Sequence, residues 1–391
     1  MARVSRTTIF RSERYAAISL AAAAVLGLFL ANSVAGPGLI ELMHSHPSLG
    51  ITGLDFSYAH WITDGLLVVF FFIVAVELRH ELTVGELNSV QHALAPGVAA
   101  LGGVIAPAAL YLAITGPDYA GGWPIPTATD IAFTLGLIAL VGKGLPTKLR
   151  VFLLALAVID DLIAILIIAV FFSTGFDVFA FGIAVMAVYA FRWVGCQNNM
   201  PRALRIVLFI LFAALAWYAT VLSGIHATIA GVALGLVLNP RIASKAAHAL
   251  TPLNNAVILP LFAFVSALVI IPEVPLTELS PAFWGITIAL PFGKLVGITL
   301  AGTLVAWFIT RKAGKNARQA RQTLVTGWDL ITVAAVSGIG FTVSLLMTEL
   351  AFANDEALRD EGVLAVLSGS AIAILLGTVF VVLRARHYRV K

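Results

Sequence analysis

The stretch LALAVIDDLIAILIIAV, residues 154–170, places two adjacent aspartates, Asp160 and Asp161, inside an otherwise unbroken apolar run. Such a run predicts a membrane-spanning helix. A charged side chain at the centre of a bilayer costs about 2.5–3.5 kcal/mol even on insertion-based scales. Ionisable residues in such positions are rare and usually functional, so the two carboxylates are the first feature of this sequence to explain.

The composition excludes a water-soluble protein. The 391 residues are 60% hydrophobic and 11% charged, and the mean hydropathy is +1.00, whereas a soluble domain is about 25% charged. The apolar runs are long and continuous rather than short and alternating, which favours helices over the strands of a barrel. We therefore predict an all-α polytopic protein in which residues 1–391 form one integral membrane domain.

The hydropathy pattern predicts twelve transmembrane spans. They lie near residues 16–33, 62–78, 93–113, 123–141, 149–172, 178–191, 203–222, 225–238, 253–271, 282–309, 322–351 and 362–383. With this count, all but two of the 24 Lys and Arg residues fall in the tails and loops of one side, the exceptions being Lys294 and Arg359. Because loops rich in positive residues stay in the cytoplasm, we expect cytoplasmic termini. The basic charge is thus a topology signal, and a nucleic-acid partner is not expected.

Two of the predicted spans carry helix-breaking sequences. Span four opens with WPIPTATDIAF (123–133), and span eleven contains AVSGIGFTVSLL (335–346). Prolines resist helix around them, while SGIG fits either an interruption or close helix packing. The spans are the middle members of two three-helix blocks, spans three to five and ten to twelve, which have opposite orientations. Interrupted helices at matching positions of an inverted repeat point to a transport site near the midplane.

The interior charges are unbalanced. Asp130, Asp160, Asp161 and Lys294 are deep in predicted spans, so three acids accompany one ammonium. A static ion-pair network is one explanation, but the surplus negative charge favours groups that bind protons or cations. Neighbours on a helix point about 100° apart, so one member of the Asp160–Asp161 pair can face Lys294 while the other faces a water-filled funnel. Together they would titrate as a coupled pair.

These residues also suggest what the cargo is. Hard cations such as Na⁺ prefer oxygen ligands, and Asp161, Thr129, Asp130 and backbone carbonyls at the interruption supply them. Asp130 and Lys294 also suit the helix ends that two crossing, interrupted helices bring together, because carboxylates stabilise N-termini and ammonium groups stabilise C-termini. Asp64 and Glu77 lie at the two ends of span two. Each either belongs to this group of interior charges or is a solvated residue at the water boundary.

The sequence resembles the bacterial NhaA sodium/proton antiporters, a family known for inverted repeats. The resemblance covers nearly the whole chain and rests on the order and spacing of several short motifs. They are ANS after span one, FFFIVAVELRHEL (70–82), PTATDIAFTLG (126–136), LALAVIDDL (154–162), SGIHATIAG (223–231), ILPLFAF (258–264), GKLVGI (293–298) and SGIGFTVSLL (337–346).

The resemblance implies a fold, an activity and a setting. The fold would be the twelve-helix NhaA type, with an inverted repeat and two interrupted, crossing helices. The activity would be electrogenic exchange of cytoplasmic Na⁺ or Li⁺ for external H⁺ by alternating access, serving pH and sodium homeostasis in the bacterial inner membrane. The protein would be a homodimer surrounded by lipid, without a cofactor, and not an enzyme. The outer loop 34–61, where short β-rich runs around Gly53 allow a hairpin, would serve dimerisation.

The resemblance also implies residue roles. Asp161 is expected to be the main cation ligand, Asp160 the partner of Lys294, and Thr129 with Asp130 part of the unwound fourth helix. Three acids match the family's cytoplasmic funnel and second helix, and two histidines match positions linked to pH response. The acids are Asp64, Glu77 and Glu81, and the histidines are His226 and His248.

Two departures from the family pattern concern pH control. His80 replaces a family arginine, and an acid and a second histidine near His248 are replaced by Ala247 and Thr251. Histidine changes charge near neutral pH whereas arginine does not, and His80 lies close to Glu77 and Glu81 on the predicted helix. We therefore expect pH control to shift towards the second helix.

Three other functions remain to be weighed. An intramembrane aspartyl protease needs two carboxylates that meet from separate helices, whereas adjacent Asp160 and Asp161 diverge. A retinal-linked pump would use Lys294 for a Schiff base, which twelve spans and interrupted helices argue against. A sodium-coupled symporter of related architecture is the main alternative, but it would need a pocket for an organic substrate, and the sequence offers no obvious one.

Overall fold

The structure, a computed structural model, is all-helical over the residues that it describes. These are residues 12–47, 54–173, 175–197, 199–272, 274–313 and 324–390. Within them, ten helices are long and apolar enough to cross a membrane, and a bent pair of helices raises the count to eleven. The chain is therefore a multi-pass membrane protein.

Fourteen helices are numbered here in chain order. They are α1 (Glu13–Ala31), α2 (Gly36–His44), α3 (Tyr58–Thr83), α4 (Val90–Thr115), α5 (Ile131–Val141), α6 (Thr147–Phe171), α7 (Val178–Cys196), α8 (Arg202–Leu222), α9 (Thr228–Val237), α10 (Pro240–Ser266), α11 (Pro281–Lys312), α12 (Trp328–Ser337), α13 (Phe341–Ala351) and α14 (Glu356–Val390). Short π-helical turns interrupt three of them, at Trp61–Leu66 in α3, Asn254–Ile258 in α10 and Ala289–Gly293 in α11.

Twelve spans are predicted, whereas ten or eleven are found among the described residues, and two of the predicted spans account for the difference. The predicted eighth span is α9, which has ten residues and is too short to be counted as a span by itself. The predicted eleventh span is the pair α12 and α13, which meet at an angle of 48° across a break at residues 338–340. The outer loop begins with α2 and has no strand in its described part, and the predicted hairpin around Gly53 lies outside the described residues.

The chain divides into two compact units. The first contains residues Ala23–His80 and Ile165–Leu268. Its helices α3 and α9 approach closely at two glycines: a Cβ added at Gly235 would lie 2.7 Å from the carbonyl oxygen of Phe72, and one at Gly231 would overlap the carbonyl of Val68. Since only glycine permits this approach, these positions fix α9 beside the middle of α3.

The second unit contains Ser12–Ala22, Glu81–Ala164 and Val269–Lys391. It thus unites the two predicted three-helix blocks. Helices α4 and α11 meet backbone to backbone in it, because a Cβ added at Gly102 would lie 2.5 Å from the carbonyl oxygen of Gly297, and the reverse contact is closer still. This packing holds Lys294, one turn before Gly297, in the interior of the unit.

Local sequence explains where α5 and α11 begin. Asp130 precedes α5, and its side chain accepts a hydrogen bond from the backbone nitrogen of Phe133, as an N-cap does. Ser280 caps α11 in the same way through the nitrogen of Phe283, and Pro281 follows at the first helical position. Upstream of Asp130, residues Ala128–Asp130 are extended, so the segment predicted to be unwound is not helical.

Candidate cation-binding site

A buried ion pair lies at the centre of the second unit. The Lys294 ammonium is fully buried, and it donates a short hydrogen bond to Oδ2 of Asp160, which is 2% exposed. Lys294 also donates to the Thr129 hydroxyl at 2.7 Å. The π-helical turn at 289–293 directly precedes Lys294, and such turns are frequent at functional sites. Of the two adjacent aspartates, Asp160 is therefore the partner of the lysine.

The extended segment before α5 is joined to the break between α12 and α13. The Thr129 hydroxyl donates to the carbonyl oxygen of Ser337 at 2.9 Å, and the Asp130 nitrogen donates to that of Ile339 at 2.7 Å. The two interruptions therefore satisfy each other's backbone groups, which the membrane interior would otherwise leave unpaired at a cost of several kcal/mol each. Through Thr129, this junction is also connected to Lys294.

Asp130 caps two helices at once. Its Oδ1 accepts from the Phe133 nitrogen at 2.9 Å, in the first turn of α5. Its Oδ2 accepts from the nitrogen and the hydroxyl of Thr342, at 3.1 and 2.6 Å, in the first turn of α13. Helix N-termini carry partial positive charge, so one buried carboxylate, 2% exposed, stabilises both.

Asp161 completes the group. It follows Asp160 on α6 and is 6% exposed, so both carboxylates are buried. Asp161 lies near enough to Lys294 to act on it electrostatically. Oδ1 of Asp160 is also buried and accepts no hydrogen bond from the described residues. Three buried carboxylates around one ammonium leave a net negative charge, and a proton or a cation can neutralise it.

A second polar cluster lies in the first unit. The His226 ring donates to or accepts from the Thr228 hydroxyl at 2.8 Å through Nδ1, and its Nε2 is 3.6 Å from Oδ1 of Asp64. The indole nitrogen of Trp217 donates to the Asp64 carbonyl oxygen at 3.0 Å. The sequence did not connect His226 with Asp64. The two residues are neighbours because glycines bring α9 against α3.

The remaining predicted residues lie elsewhere. Glu77, His80 and Glu81 occupy the last two turns of α3, thirteen or more residues from Asp64, which is about 20 Å along a helix. Asp64 therefore belongs to the opposite end of α3 from the other predicted acids. His248 is exposed on α10. The Thr251 hydroxyl donates to the carbonyl oxygen of Ala247 at 2.8 Å, within the same helix.

Sequence analysis missed several polar contacts. The sequence-based site did not include Thr342 or the carbonyls of Ser337 and Ile339, although all three residues belong to the quoted SGIGFT motif. A threonine just after a helix break is the signal that could have indicated the contact between Thr342 and Asp130. Arg79 was assigned to a loop. Its guanidinium instead donates to the carbonyl oxygens of Leu236, at 2.7 Å, and Leu238, at the end of α9.

An intramembrane ion pair with surplus carboxylates, between two interrupted polypeptide segments, defines a membrane transporter of small cations. Similarity to known proteins identifies the kind of transporter. Residues 7–381 match the family model described as Na⁺/H⁺ antiporter 1. The chain belongs to the NhaA family of Na⁺/H⁺ antiporters, which confirms the resemblance noted above.

Several curated relatives match over nearly the full chain. The Na(+)/H(+) antiporter NhaA 2 of Clavibacter michiganensis subsp. michiganensis is 56% identical, over 98% of this chain and 93% of the relative. The NhaA antiporter of Tropheryma whipplei (strain Twist) is 44% identical, over 95% and 94%. That of Streptomyces antibioticus is 40% identical, over 97% and 79%. These relatives are transporters rather than enzymes.

Proposed function

We propose that this chain exchanges cytoplasmic Na⁺ or Li⁺ for external protons by alternating access, electrogenically, in the bacterial inner membrane with both termini in the cytoplasm. The observation that carries the proposal is the buried Lys294–Asp160 pair beside Asp161. In this group, the Lys294 ammonium is an internal cation that competes with the cargo for the Asp160 carboxylate. Asp161 supplies a second buried carboxylate. Such a site can hold protons or one metal cation, but their simultaneous binding is opposed by charge repulsion.

The charge balance of the pair supports electrogenic exchange. With both carboxyls protonated and Lys294 charged, the group carries one positive charge. With both carboxylates ionised around one Na⁺, it is neutral. Two protons then move against one Na⁺ in each cycle, and one net charge crosses the membrane. A transmembrane potential acts on that charge with about 2.3 kcal/mol per 100 mV, so it drives the exchange.

Four residues have distinct roles in this proposal. Asp161 is the main cation ligand, and Asp160 alternates between Lys294 and the cargo. Thr129 is held between Lys294 and Ser337, and it keeps the extended segment beside the pair. Asp130 contributes a fixed negative charge at two helix starts. If cation binding withdraws Asp160 from Lys294, the hydrogen bond from Lys294 to Thr129 is disturbed as well. Occupancy of the cation site is thereby linked to the interrupted segments.

The experiment is ion exchange in proteoliposomes with an imposed pH gradient. Addition of Na⁺ or Li⁺ should dissipate the gradient, K⁺ should not, and the rate should change with an imposed membrane potential. No organic solute should be needed, which distinguishes exchange from sodium-coupled symport, an alternative that the family does not favour. A gradient unaffected by Na⁺ in liposomes that contain folded protein would refute the proposal.

The remaining predicted residues belong to pH control in this proposal. Glu77, His80 and Glu81 form one group at the cytoplasmic end of α3, while Asp64 and His226 form a second at the outer end. His248 lies on α10, where Ala247 is apolar and Thr251 is bound within its own helix. His80 stands where the family pattern has an arginine, and in this proposal it takes part in pH control at the cytoplasmic end of α3.

The proposal includes a homodimer joined through the outer loop 34–61, which begins with α2. Deletion of residues 45–57 would test it. The variant should elute at the mass of a monomer from a detergent column calibrated by light scattering, with its exchange activity retained. A variant that remains dimeric would show that the loop is not the contact.

A further inference from the structure

The last turns of α14 bind the end of α12 that lies farther from the cation site. The Arg384 guanidinium donates to Oδ1 of Asp329 at 2.5 Å, and the Tyr388 hydroxyl donates to Oδ2 of the same carboxylate at 2.7 Å. Arg384 also lies over the Tyr388 ring, 4.7 Å from its centroid. Asp329 is the second residue of α12 and is 5% exposed. Both of its oxygens are thus bound by one neighbouring helix.

The same turns of α14 bind the corresponding end of α5. The Arg389 guanidinium donates to the carbonyl oxygen of Lys143 from Nε at 2.9 Å and from Nη2 at 2.6 Å. Lys143 follows the last residue of α5 by two positions. Two guanidinium N–H groups thus share one carbonyl oxygen, and the contact is charge-assisted because the guanidinium is ionised.

These two contacts share a geometry. Asp130 caps the start of α5, which ends two residues before Lys143, whereas Asp329 lies in the first turn of α12, which ends at Ser337. Each helix has a cation-site residue at one end and a contact to α14 at the other. With 11 and 10 residues, both are about 15–17 Å long. A helix of that length is stiff, so a displacement at one end is transmitted to the other.

Helix α14 also touches both helices nearer to the site. A Cβ added at Gly377 would lie 3.3 Å from Cα of Val336 and 3.4 Å from Cδ2 of Leu137. The helix is therefore fitted against α12 and α5 by a glycine, and fastened to them two turns later by Arg384, Tyr388 and Arg389. In the sequence, the two arginines are topology signals, and their charge alone does not require such contacts.

We propose that Asp329, Arg384, Tyr388 and Arg389 are positioning residues, which fasten the cytoplasmic ends of α5 and α12 to α14 and thereby hold Asp130 and Ser337 in register at the cation site. This inference rests on the proposed function. We call the four side chains the cytoplasmic strap. The strap keeps the two half-helices and the C-terminal helix together as one body, so the distances around Thr129 and Asp130 are maintained during transport.

The test compares transport kinetics with helix stability in full-length variants. Asp329→Asn and Arg384→Gln should each raise the apparent KM for Na⁺ by roughly three- to thirtyfold, with a smaller change in maximal rate per folded molecule. Asp329→Glu, which retains the charge, should restore most of the affinity. The apparent KM of the Asp329→Asn/Arg384→Gln double variant should be no higher than that of either single variant, because both substitutions remove the same interaction.

Matched controls separate positioning from general stability. Arg386→Gln changes an exposed arginine on the same turns of α14 and should leave KM unchanged. Tyr388→Phe removes only one hydroxyl and gives a milder variant should Asp329→Asn fail to fold. Hydrogen exchange supplies a readout without transport: amides of residues 131–141 and 328–337 should exchange faster in the strap variants, whereas those of 203–222 should not.

The outcomes are distinct. An unchanged KM in well-folded Arg384→Gln and Asp329→Asn protein, or losses that add in the double variant, would overturn the strap. If wild-type protein shows no Na⁺-dependent exchange while hydrogen exchange still responds as expected, the proposed function fails and the structural part of the strap stands. If transport is present but hydrogen exchange and KM are both unaffected, the strap alone fails.

Discussion

Replacement of Lys294 by alanine is the most direct test of the buried pair. The variant leaves the Asp160 carboxylate with no ammonium at a position that is 2% exposed. Breaking a buried pair by removing one partner costs about 3–5 kcal/mol, because an uncompensated charge remains. The lost hydrogen bond from Lys294 to Thr129 contributes about 1.5–3 kcal/mol more, because its donor is charged. We expect a destabilisation of about 4.5–8 kcal/mol where Asp160 is ionised.

The destabilisation should depend on pH in a defined direction. Protonation of Asp160 removes the orphan charge, so the loss should be greatest under alkaline conditions and smaller under acidic ones. The assay is thermal unfolding in detergent, followed by the fraction of monodisperse protein after heating. Lys312→Ala, at the exposed end of the same helix, serves as the control and should melt like wild type.

A second variant isolates the pair. In Lys294→Ala combined with Asp160→Ala, both members of the pair are absent and no orphan charge remains at Asp160, so much of the lost stability should return. A Lys294→Ala protein that melts like wild type under alkaline conditions would refute the pairing. A double variant that is less stable than both single variants would show that Asp160 is stabilised by groups other than Lys294.

Three further predictions concern the site and its control. Asp161→Asn keeps the size of the side chain but cannot exchange a proton for a cation, so Na⁺-driven dissipation of a pH gradient should be lost; a near-wild-type rate would exclude Asp161 as the main ligand. Asp130→Ala removes two helix caps and should cost about 1–4 kcal/mol at 0.5–2 per cap, while Asp130→Asn, which still accepts a hydrogen bond, should cost less; equal thermal stabilities would contradict the shared cap. His80→Arg should shift the pH midpoint of activation, measured at saturating Na⁺, and spare the maximal rate; superimposable normalised profiles would exclude His80 as a sensor.

Charged residues in apolar spans are the part of this site that sequence alone can reveal. Asp130, Asp160, Asp161 and Lys294 are conspicuous because their cost in the membrane does not depend on the details of packing. Which of these residues pair with each other, in contrast, does depend on packing. Asp160 and Asp161 point about 100° apart on α6, and the rotation of that helix decides which one meets Lys294. The position of Lys294 also follows from helix packing, because the contact between Gly102 and Gly297 fixes α11 against α4.

Polar contacts near the water boundary are harder to predict. From the sequence, Arg384 and Arg389 are predicted to lie in a cytoplasmic tail, where a positive charge is expected. Arg79 is likewise an ordinary loop arginine in the sequence. Only the fold shows that Arg384 meets Asp329 and that Arg79 meets the end of α9. The pairing of Asp64 with His226 also depends on the close approach of two helices at glycines, which no local pattern specifies.

The contacts of Asp130 and Thr129 narrow the set of cation ligands. A carboxylate has about four lone-pair sites, and Asp130 already accepts three hydrogen bonds, from Phe133 and from two atoms of Thr342. The Thr129 hydroxyl accepts from Lys294 and donates to Ser337. Neither residue can coordinate a cation fully without releasing a helix cap or the junction of the interrupted segments.

Asp160 and Asp161 are then the carboxylates that can change partner at the smallest structural cost. Asp160 can exchange the Lys294 ammonium for another positive charge, and its Oδ1 accepts no hydrogen bond from the described residues. In the proposed function, the charge of Asp130 attracts the cation through space while its oxygens hold two helices. On this reasoning, binding and architecture are assigned to different carboxylates. The loss of Asp161 should therefore abolish exchange in a protein that still folds, whereas the loss of Asp130 should first be detected as lower stability.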